Sequence, residues 1–451
     1  MKKMVSLAAA LLLLVLLPGC GGEGAVAPQT NESLTVFCMG DTTRDSGMIT
    51  LALEQYQQMY PDVEVELIQP GYEGPDMDLQ FELYEQVAAQ IMAGKGPDVF
   101  LVDQFVMDIE KLVRQDVFAD MEPYFQADNF DWEPYNQAVM DGGVWNGKRY
   151  IIPLSYTFPL LFTTQTALEE TRFDVDACGD YQGFLEETTR FLEDETQTRA
   201  LFCKPLVTAD VLELSGLSVA DYDTRTIDLS SPVLRAGYQW YKTLMTAYPN
   251  GLETLGYDGL EYSAPAVRDG EALWAASVSG AFHGFFHEFA ALKTIDEMVM
   301  MPVRDVNGGI QATVDYSVAV RANSENLENA YNYLKILLGP AVQYKTQNGS
   351  QLSVLDDANE YAYERLSQGH GWTIRAGVGG FVSEKDPTKG IDWPTRAEFN
   401  ELIGYTREID GVQYFGHLGL NKAMAPYIYE GADYDETLAE AQRQLERYIT
   451  E

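Results

Sequence analysis

Between residues 34 and 102 the chain alternates strand-like and helix-like patterns joined by short connections, and few folds admit that order. Leu34-Thr35-Val36-Phe37-Cys38 is a β-prone run. A polar loop follows; then Met48, Ala52, Tyr56 and Met59 recur at helical spacing until Tyr60-Pro61 stops the helix. Val63, Val65 and Leu67 alternate as a second strand, ended by Gln69-Pro70-Gly71. Leu79, Leu83, Val87 and Ile91 mark a second amphipathic helix, closed by Gly94-Lys95-Gly96-Pro97, and Val99-Phe100-Leu101-Val102 is a short, fully apolar strand. This order predicts an α/β fold in which a parallel or mixed sheet is flanked by helices. Ligands of such sheets gather at the carboxyl ends of the strands, which directs attention to residues 40–43, 69–72 and 103–105.

Further along, Trp145-Asn146-Gly147-Lys148-Arg149-Tyr150 carries the Asn-Gly signal of a hairpin turn, followed by a β-prone stretch to Leu154 with Pro153 near its end. Leu160-Leu161-Phe162 is another buried run. Helical spacing covers 181–193, 232–247 and 262–271, strand patterns cover 299–303 and 316–320, and helices are expected at 327–338 and 434–449. No repeat at a solenoid period is present.

Composition narrows the partners. The apolar content of 46% and aromatic content of 12% are those of a globular chain. A formal charge of −39, from acids spread along the whole chain, argues against nucleic acid, which needs clustered Lys and Arg. It argues equally against bare anionic lipid headgroups. Four cysteines make no disulfide scaffold: Cys38 reads as core, and Cys178 and Cys203 are able to pair in an oxidising compartment. No C-x-x-C occurs, so neither a thiolate zinc site nor a redox motif is expected.

The amino end has its own logic. Lys2 and Lys3 precede an apolar run from 5 to 17, interrupted only by Ser6 and ending in Leu17-Pro18-Gly19-Cys20. The run is shorter than the ~20 residues a membrane span needs. Its ending resembles the lipobox of bacterial lipoproteins, which implies a signal peptide at 1–19 and acylation of Cys20. Residues 20–33 are Gly-rich and without apolar periodicity, a flexible tether spanning roughly 20 Å.

Six segments together resemble the extracellular solute-binding proteins of bacterial ABC importers, in the class that includes the maltodextrin-type carbohydrate binders. They are the lipobox; Tyr60-Pro61-Asp62-Val63; residues 88–99 with Gly94-Lys95-Gly96-Pro97-Asp98-Val99; residues 145–153; residues 270–282 leading to Pro302; and Ala330-Tyr331-Asn332-Tyr333-Leu334-Lys335. The resemblance implies a two-lobe periplasmic-binding-protein-like fold of class II with the ligand clamped between lobes. It assigns 34–154 and 303–350 to an N-terminal lobe, and 155–302 and 351–451 to a C-terminal lobe. Crossings between lobes are expected near Ile151-Ile152-Pro153 and at Met301-Pro302. Gln351-Leu352-Ser353-Val354 lacks the Pro usual in that family, and 369–390 matches none of its segments.

A sugar presents apolar C–H faces and a ring of hydroxyls, so its site needs flat aromatic side chains beside carboxylates or amides. On that chemistry the expected ligand contacts are Asp41, Thr42 and Arg44 in the first strand-end loop, Asp103 and Gln104 after the third strand, and Tyr156 and Phe158 after the hinge-like strand. Trp274, Phe282, Asp315, Tyr316 and Trp372 complete the set, although Trp274 suits a core better than a ligand site. Phe282 occupies what resembles the family's common Trp position. His283 and His287 share helical spacing, but Gly284 stands where a zincin motif needs Glu, so no metal is expected. No cofactor is expected either.

The leading expectation is a monomeric, non-enzymatic receptor, lipid-anchored on the outer face of the cell membrane. It would bind a small solute, a sugar or oligosaccharide, and deliver it to the transmembrane subunits of an ABC permease. A surface glycosidase using two carboxylates, or an adhesion or sensory binding module, are the alternatives.

Overall fold

A computed structural model describes residues 33–38, 45–69, 86–87, 89–91, 93–102, 107–203, 209–247, 263–277, 285–289, 292–293, 296–346, 351–368, 393–414 and 419–450. Cys20 and residues 1–32 of the expected leader and tether lie outside these, while Ser33, expected to end the tether, begins the first strand. Two sheets organise the rest. The larger has seven strands: β1 (Ser33–Phe37), β2 (Glu64–Ile68), β3 (Val99–Val102), β6 (Ile151–Thr157), β13 (Ile310–Val320), β14 (Leu352–Ser353) and β15 (Ile409–Gln413). Its order is β14-β6-β13-β3-β1-β2, with β15 pairing β13. The smaller has the order β12-β7-β11-β8, built from β7 (Leu160–Thr164), β8 (Ala200–Phe202), β11 (Ala272–Ser277) and β12 (Met298–Pro302). Two hairpins stand apart: β4 (Val144–Trp145) with β5 (Lys148–Arg149), and β9 (Ala220–Asp221) with β10 (Thr226–Ile227). The mixed α/β fold with helix-flanked sheets is the predicted one.

The alternation read from 34–102 has a direct physical expression. β1 pairs in parallel with both β2 and β3, and its residues take turns on two faces. Val36, Val99 and Leu101 pack in the main core. Phe37, Phe100 and Val102 pack on the other side with Ile109, Leu112 and Val113 of α2 (Ile109–Arg114). The first face is covered by α1 (Asp45–Met59) and a later helix, Leu327–Leu338, joined by the Tyr333 hydroxyl donating to Ile49 O at 3.2 Å.

The Asp98 of the Gly-Pro-Asp segment is the lock of this sheet. It is buried, and its carboxylate accepts from Thr35 N (2.9 Å), Ser324 Oγ (2.6 Å), Asn326 Nδ2 (3.2 Å) and Arg321 Nη2 (3.4 Å). Its own backbone bonds Thr35 O and Arg321 N. One side chain thereby ties β1 and β3 to the chain leaving β13. A buried carboxylate requires such a full set of donors.

The smaller sheet is covered in part by α4 (Tyr181–Glu193), whose N-cap Asp180 accepts from Gly183 N at 2.8 Å, and α6 (Pro232–Ala247) packs on α4, with Phe184 and Trp240 edge to face at 5.7 Å. On α6 sit two C-terminal helices, α10 (Leu420–Tyr429) and α11 (Tyr434–Thr450), the first through Tyr238 Oη donating to Asn421 Oδ1 at 2.7 Å. Helix numbers α3, α5, α7, α8 and α9 are given to Gln137–Asp141, Ala209–Ser215, Leu327–Leu338, Asp356–Ser367 and Arg396–Thr406.

Two expectations need correction. Ile151-Ile152-Pro153 lies wholly inside β6; the chain passes to the smaller sheet at Phe158-Pro159. Pro153 lies past the end of β14 and beside the register shift of β13, where a missing N–H is tolerated. The return runs from Pro302 to Ile310, and Val303 N donating to Pro159 O at 3.1 Å binds the two crossings together. Second, 351–451 is not confined to one side: β14 and β15 both join the larger sheet. Cys38, Cys178 and Cys203 are buried and form no disulfide, so the pairing open to Cys178 and Cys203 is not made. Burial, with Glu187 and Asp174 nearby, pushes the Cys178 thiol up to about 12. Among the described residues no helix is long and apolar enough to cross a membrane.

Candidate functional site

β13 gathers the site. Its first residues, Ile310–Thr313, pair with β15, and its last, Ser317–Val320, pair with β3 on the same edge. Gln413 therefore ends opposite Thr313 and Val102 ends opposite Ser317. The carboxyl ends of two strands meet at the gap between, where the ladder to β6 slips on both sides of Tyr316. Irregularities of this kind recur beside binding sites because they re-aim side chains.

Next to this junction lies a cleft of about 310 Å³. One wall belongs to the larger sheet and its helices: Asp108 and Glu110 at the start of α2, Asp141 at the end of α3, Trp145, Gln413 and Tyr414. The opposite wall comes from Leu212 of α5, the segment 217–220 and Tyr222, which belong to the smaller unit. Trp145 is presented by the β4–β5 hairpin, whose Asn146 and Gly147 both have positive φ (53° and 76°), as the Asn-Gly signal predicted. Its ring lies 5.6 Å from that of Tyr414, tilted by 32°. Just before the hairpin, a Cβ on Gly143 would sit 2.0 Å from Ile151 O, so only glycine allows the hairpin to approach β6 this closely.

Among the described residues the lining is half apolar and half polar, with three carboxylates and no lysine or arginine. Glu110 is paired with Arg114 at 2.9 Å, while Asp108 accepts from Lys111 N as the cap of α2 (3.0 Å). Burial, then the neighbouring Asp108 charge, raises the Tyr222 phenol far above its ordinary range, and burial outweighs Arg149 in doing the same to Tyr414. Both phenols stay neutral. Such a surface offers aromatic side chains, an amide and carboxylate acceptors. It suits a ligand rich in hydroxyls and opposes an anion.

The expected contact residues divide three ways. Tyr156, Phe158 and Trp274 have no exposed surface. Tyr156 Oη accepts from Asn136 Nδ2 at 3.2 Å, and Trp274 packs edge to face on Phe173 at 5.4 Å. The expectation that they face a ligand is corrected: β6 and β11 are interior strands, and these are core side chains. Asp315 and Tyr316 fall in the β13 irregularity beside the strand-end junction, with Tyr316 half-buried. Asp41, Thr42, Arg44, Asp103, Gln104, Phe282 and Trp372 lie outside the described residues.

Sequence reasoning missed Asp108, Tyr222, Gln413 and Tyr414 as cleft residues. Trp145 stood within a recognised segment but was read only as part of a turn. The signal available for Asp108 was its position as an Asp directly before an apolar helical run, two turns' reach beyond a strand end.

Solved structures share the fold. The sugar-binding protein MalE from Xanthomonas citri superposes with a TM-score of 0.60 at 13% identity, over 93% of this chain and 97% of that one. A periplasmic oligogalacturonide binding protein from Yersinia enterocolitica gives 0.58 at 14%, over 93% and 99%. The GacH receptor of Streptomyces glaucescens, whose structures include a complex with acarbose, gives 0.54 at 14%, also over 93% and 99%. At such identities the likeness speaks for the two-lobe fold alone. No curated protein sequence matches the chain. The profile described as bacterial extracellular solute-binding protein matches residues 40–344, more than half of the length. The chain belongs to the bacterial extracellular solute-binding protein family.

Proposed function

We propose that this protein is the receptor subunit of an ABC importer, held to the outer face of the membrane by acyl chains on Cys20, and that it binds a sugar or oligosaccharide. The observation that carries the ligand class is the lining of the inter-lobe cleft, where Trp145 and Tyr414 stand beside carboxylates and an amide, with no cation among the described lining residues. Stacking rings and paired acceptors are what a sugar ring needs. The sugar-binding and oligogalacturonide-binding descriptions of the structural neighbours agree with a carbohydrate. The acidic lining favours a neutral sugar over a uronide. In this reading the protein binds and releases without chemistry, and cleft closure presents the surface that the permease recognises.

A thermal-shift screen tests it. Neutral mono- and oligosaccharides should include a compound that raises the melting temperature in proportion to the logarithm of its concentration, and it should be recovered unchanged. Amino acids and polyamines serve as controls; stabilisation by these alone, or cleavage of a glycan, refutes the reading. The anchor is tested separately: Cys20→Ser should release the protein from the membrane fraction.

A further inference from the structure

We propose that the Asp108 carboxylate is a latch between the two lobes, held shut by the hydroxyls of Tyr222 and Tyr448. Asp108 belongs to the larger unit, as the residue preceding α2, whose Ile109, Leu112 and Val113 pack beneath β1 and β3. Its Oδ1 caps that helix, and its Oδ2 accepts from Tyr222 Oη at 2.5 Å and from Tyr448 Oη at 2.9 Å. Both tyrosines belong to the other unit. Tyr222 follows β9, and Tyr448 lies in the last turns of α11, which packs on β10 and on α10, itself seated on α6. One carboxylate therefore joins three elements that are remote in the chain.

The neighbours on α2 reinforce it. Asp108, Lys111 and Arg114 are spaced by three and so share one face of the helix. Lys111 Nζ donates to Tyr448 O at 3.2 Å and lies 4.0 Å from the centre of its ring. Arg114 pairs with Asp223 and lies 5.7 Å from the Tyr222 ring. Every one of these bonds is polar and at least partly reachable by water, so water can replace each when the units part. Apolar packing of the same extent would resist separation; a polar seam is suited to repeated opening and closing.

The position gives the latch its effect. Asp108 and Tyr222 face each other from opposite walls of the cleft. Closing the latch brings those walls together. A hydroxyl bonded to a charged carboxylate contributes about tenfold or more to an equilibrium, so removing one should shift the closed-to-open ratio by about that factor.

Small-angle X-ray scattering on the purified mature chain, with no solute added, tests this apart from any ligand assignment. Tyr448→Phe removes a hydroxyl outside the cleft, and Asp108→Asn keeps the helix cap while withdrawing the acceptor. Each variant should show a larger radius of gyration and maximum dimension than wild type, with a cooperative melt retained. The double variant should open no further than Asp108→Asn alone, because both act through one carboxylate. Unchanged scattering from both single variants overturns the latch, as does expansion that comes only with loss of the cooperative melt. The carbohydrate assignment stands or falls on the thermal-shift screen and is untouched by either outcome.

Discussion

Replacing Asp98 with Ala should destabilise the protein by about 4 kcal/mol while leaving the cleft intact. The figure follows from the four donors. The Thr35 amide and the Ser324 hydroxyl lose a charged acceptor, each such bond being worth about 1.5–3 kcal/mol. Asn326 loses its longer bond but keeps one to Ser33 Oγ at 3.3 Å. Arg321 loses little, since it still donates to Pro97 O and Gly94 O. The sum lies near 3–6 kcal/mol, a large part of the ~5–15 kcal/mol that holds a typical domain. Asp98→Asn keeps the shape and one acceptor and should cost roughly half as much. Urea unfolding followed by tryptophan fluorescence measures both. A loss below about 1 kcal/mol for the alanine variant would refute the claim that this carboxylate locks β1 and β3 to the chain after β13.

Other consequences are as direct. Trp145→Ala should abolish stabilisation by whichever sugar the screen identifies, with a cooperative melt retained in its absence; undiminished stabilisation moves the ligand elsewhere. Gly143→Ala forces a methyl against Ile151 O and should cost about 1–3 kcal/mol by chemical denaturation. Asp410 carries a raised pKa, chiefly from burial and then from Asp305, so its ionised form opposes folding. Its unfavourable contribution is absent below the ordinary carboxylate pKa and grows as pH rises through the raised value. Asp410→Asn, which still accepts from Gln311, should therefore be more stable than wild type at neutral pH and indistinguishable from it in acid. Glu398 behaves in the opposite sense: burial works against its charge, but hydrogen bonds from Lys293 and Thr395 prevail and lower its pKa. The stability gained is present at neutral pH and lost as pH falls through that lowered value, and Glu398→Gln should erase that dependence in melts taken across the acid range.

What could be read from residues alone was mostly what local patterning determines. The helix at 181–193 and the Asn-Gly hairpin were legible because cap, spacing and turn chemistry all lie within a few residues. β15 was not. Ile409–Gln413 contains Asp410 and Gly411, which strands disfavour, and it is a strand because β13 offers an open edge. Tyr156 was misjudged for a related reason. An aromatic at the end of a strand has the same local signature whether its ring faces a cleft or a core. Only the neighbours on β13 and β14, drawn from residues 314 and 352, decide. The cleft walls follow the same rule: Asp108, Tyr222 and Tyr414 are brought together by topology, and no spacing between them carries a signal.

The central place of β13 also sets a timetable. Synthesis delivers β1, β2, β3 and β6 early, yet β6 and β3 meet only through β13, and the edge beyond Ser317 is completed by β15. The first half of the chain cannot close its sheet until the strand at Ile310–Val320 arrives, and α11, the partner of Asp108, follows more than a hundred residues later. Pairings this distant form slowly. Until that strand is in place, β6 has no link to β1, β2 and β3 within the sheet, so the larger unit is completed as a whole rather than strand by strand.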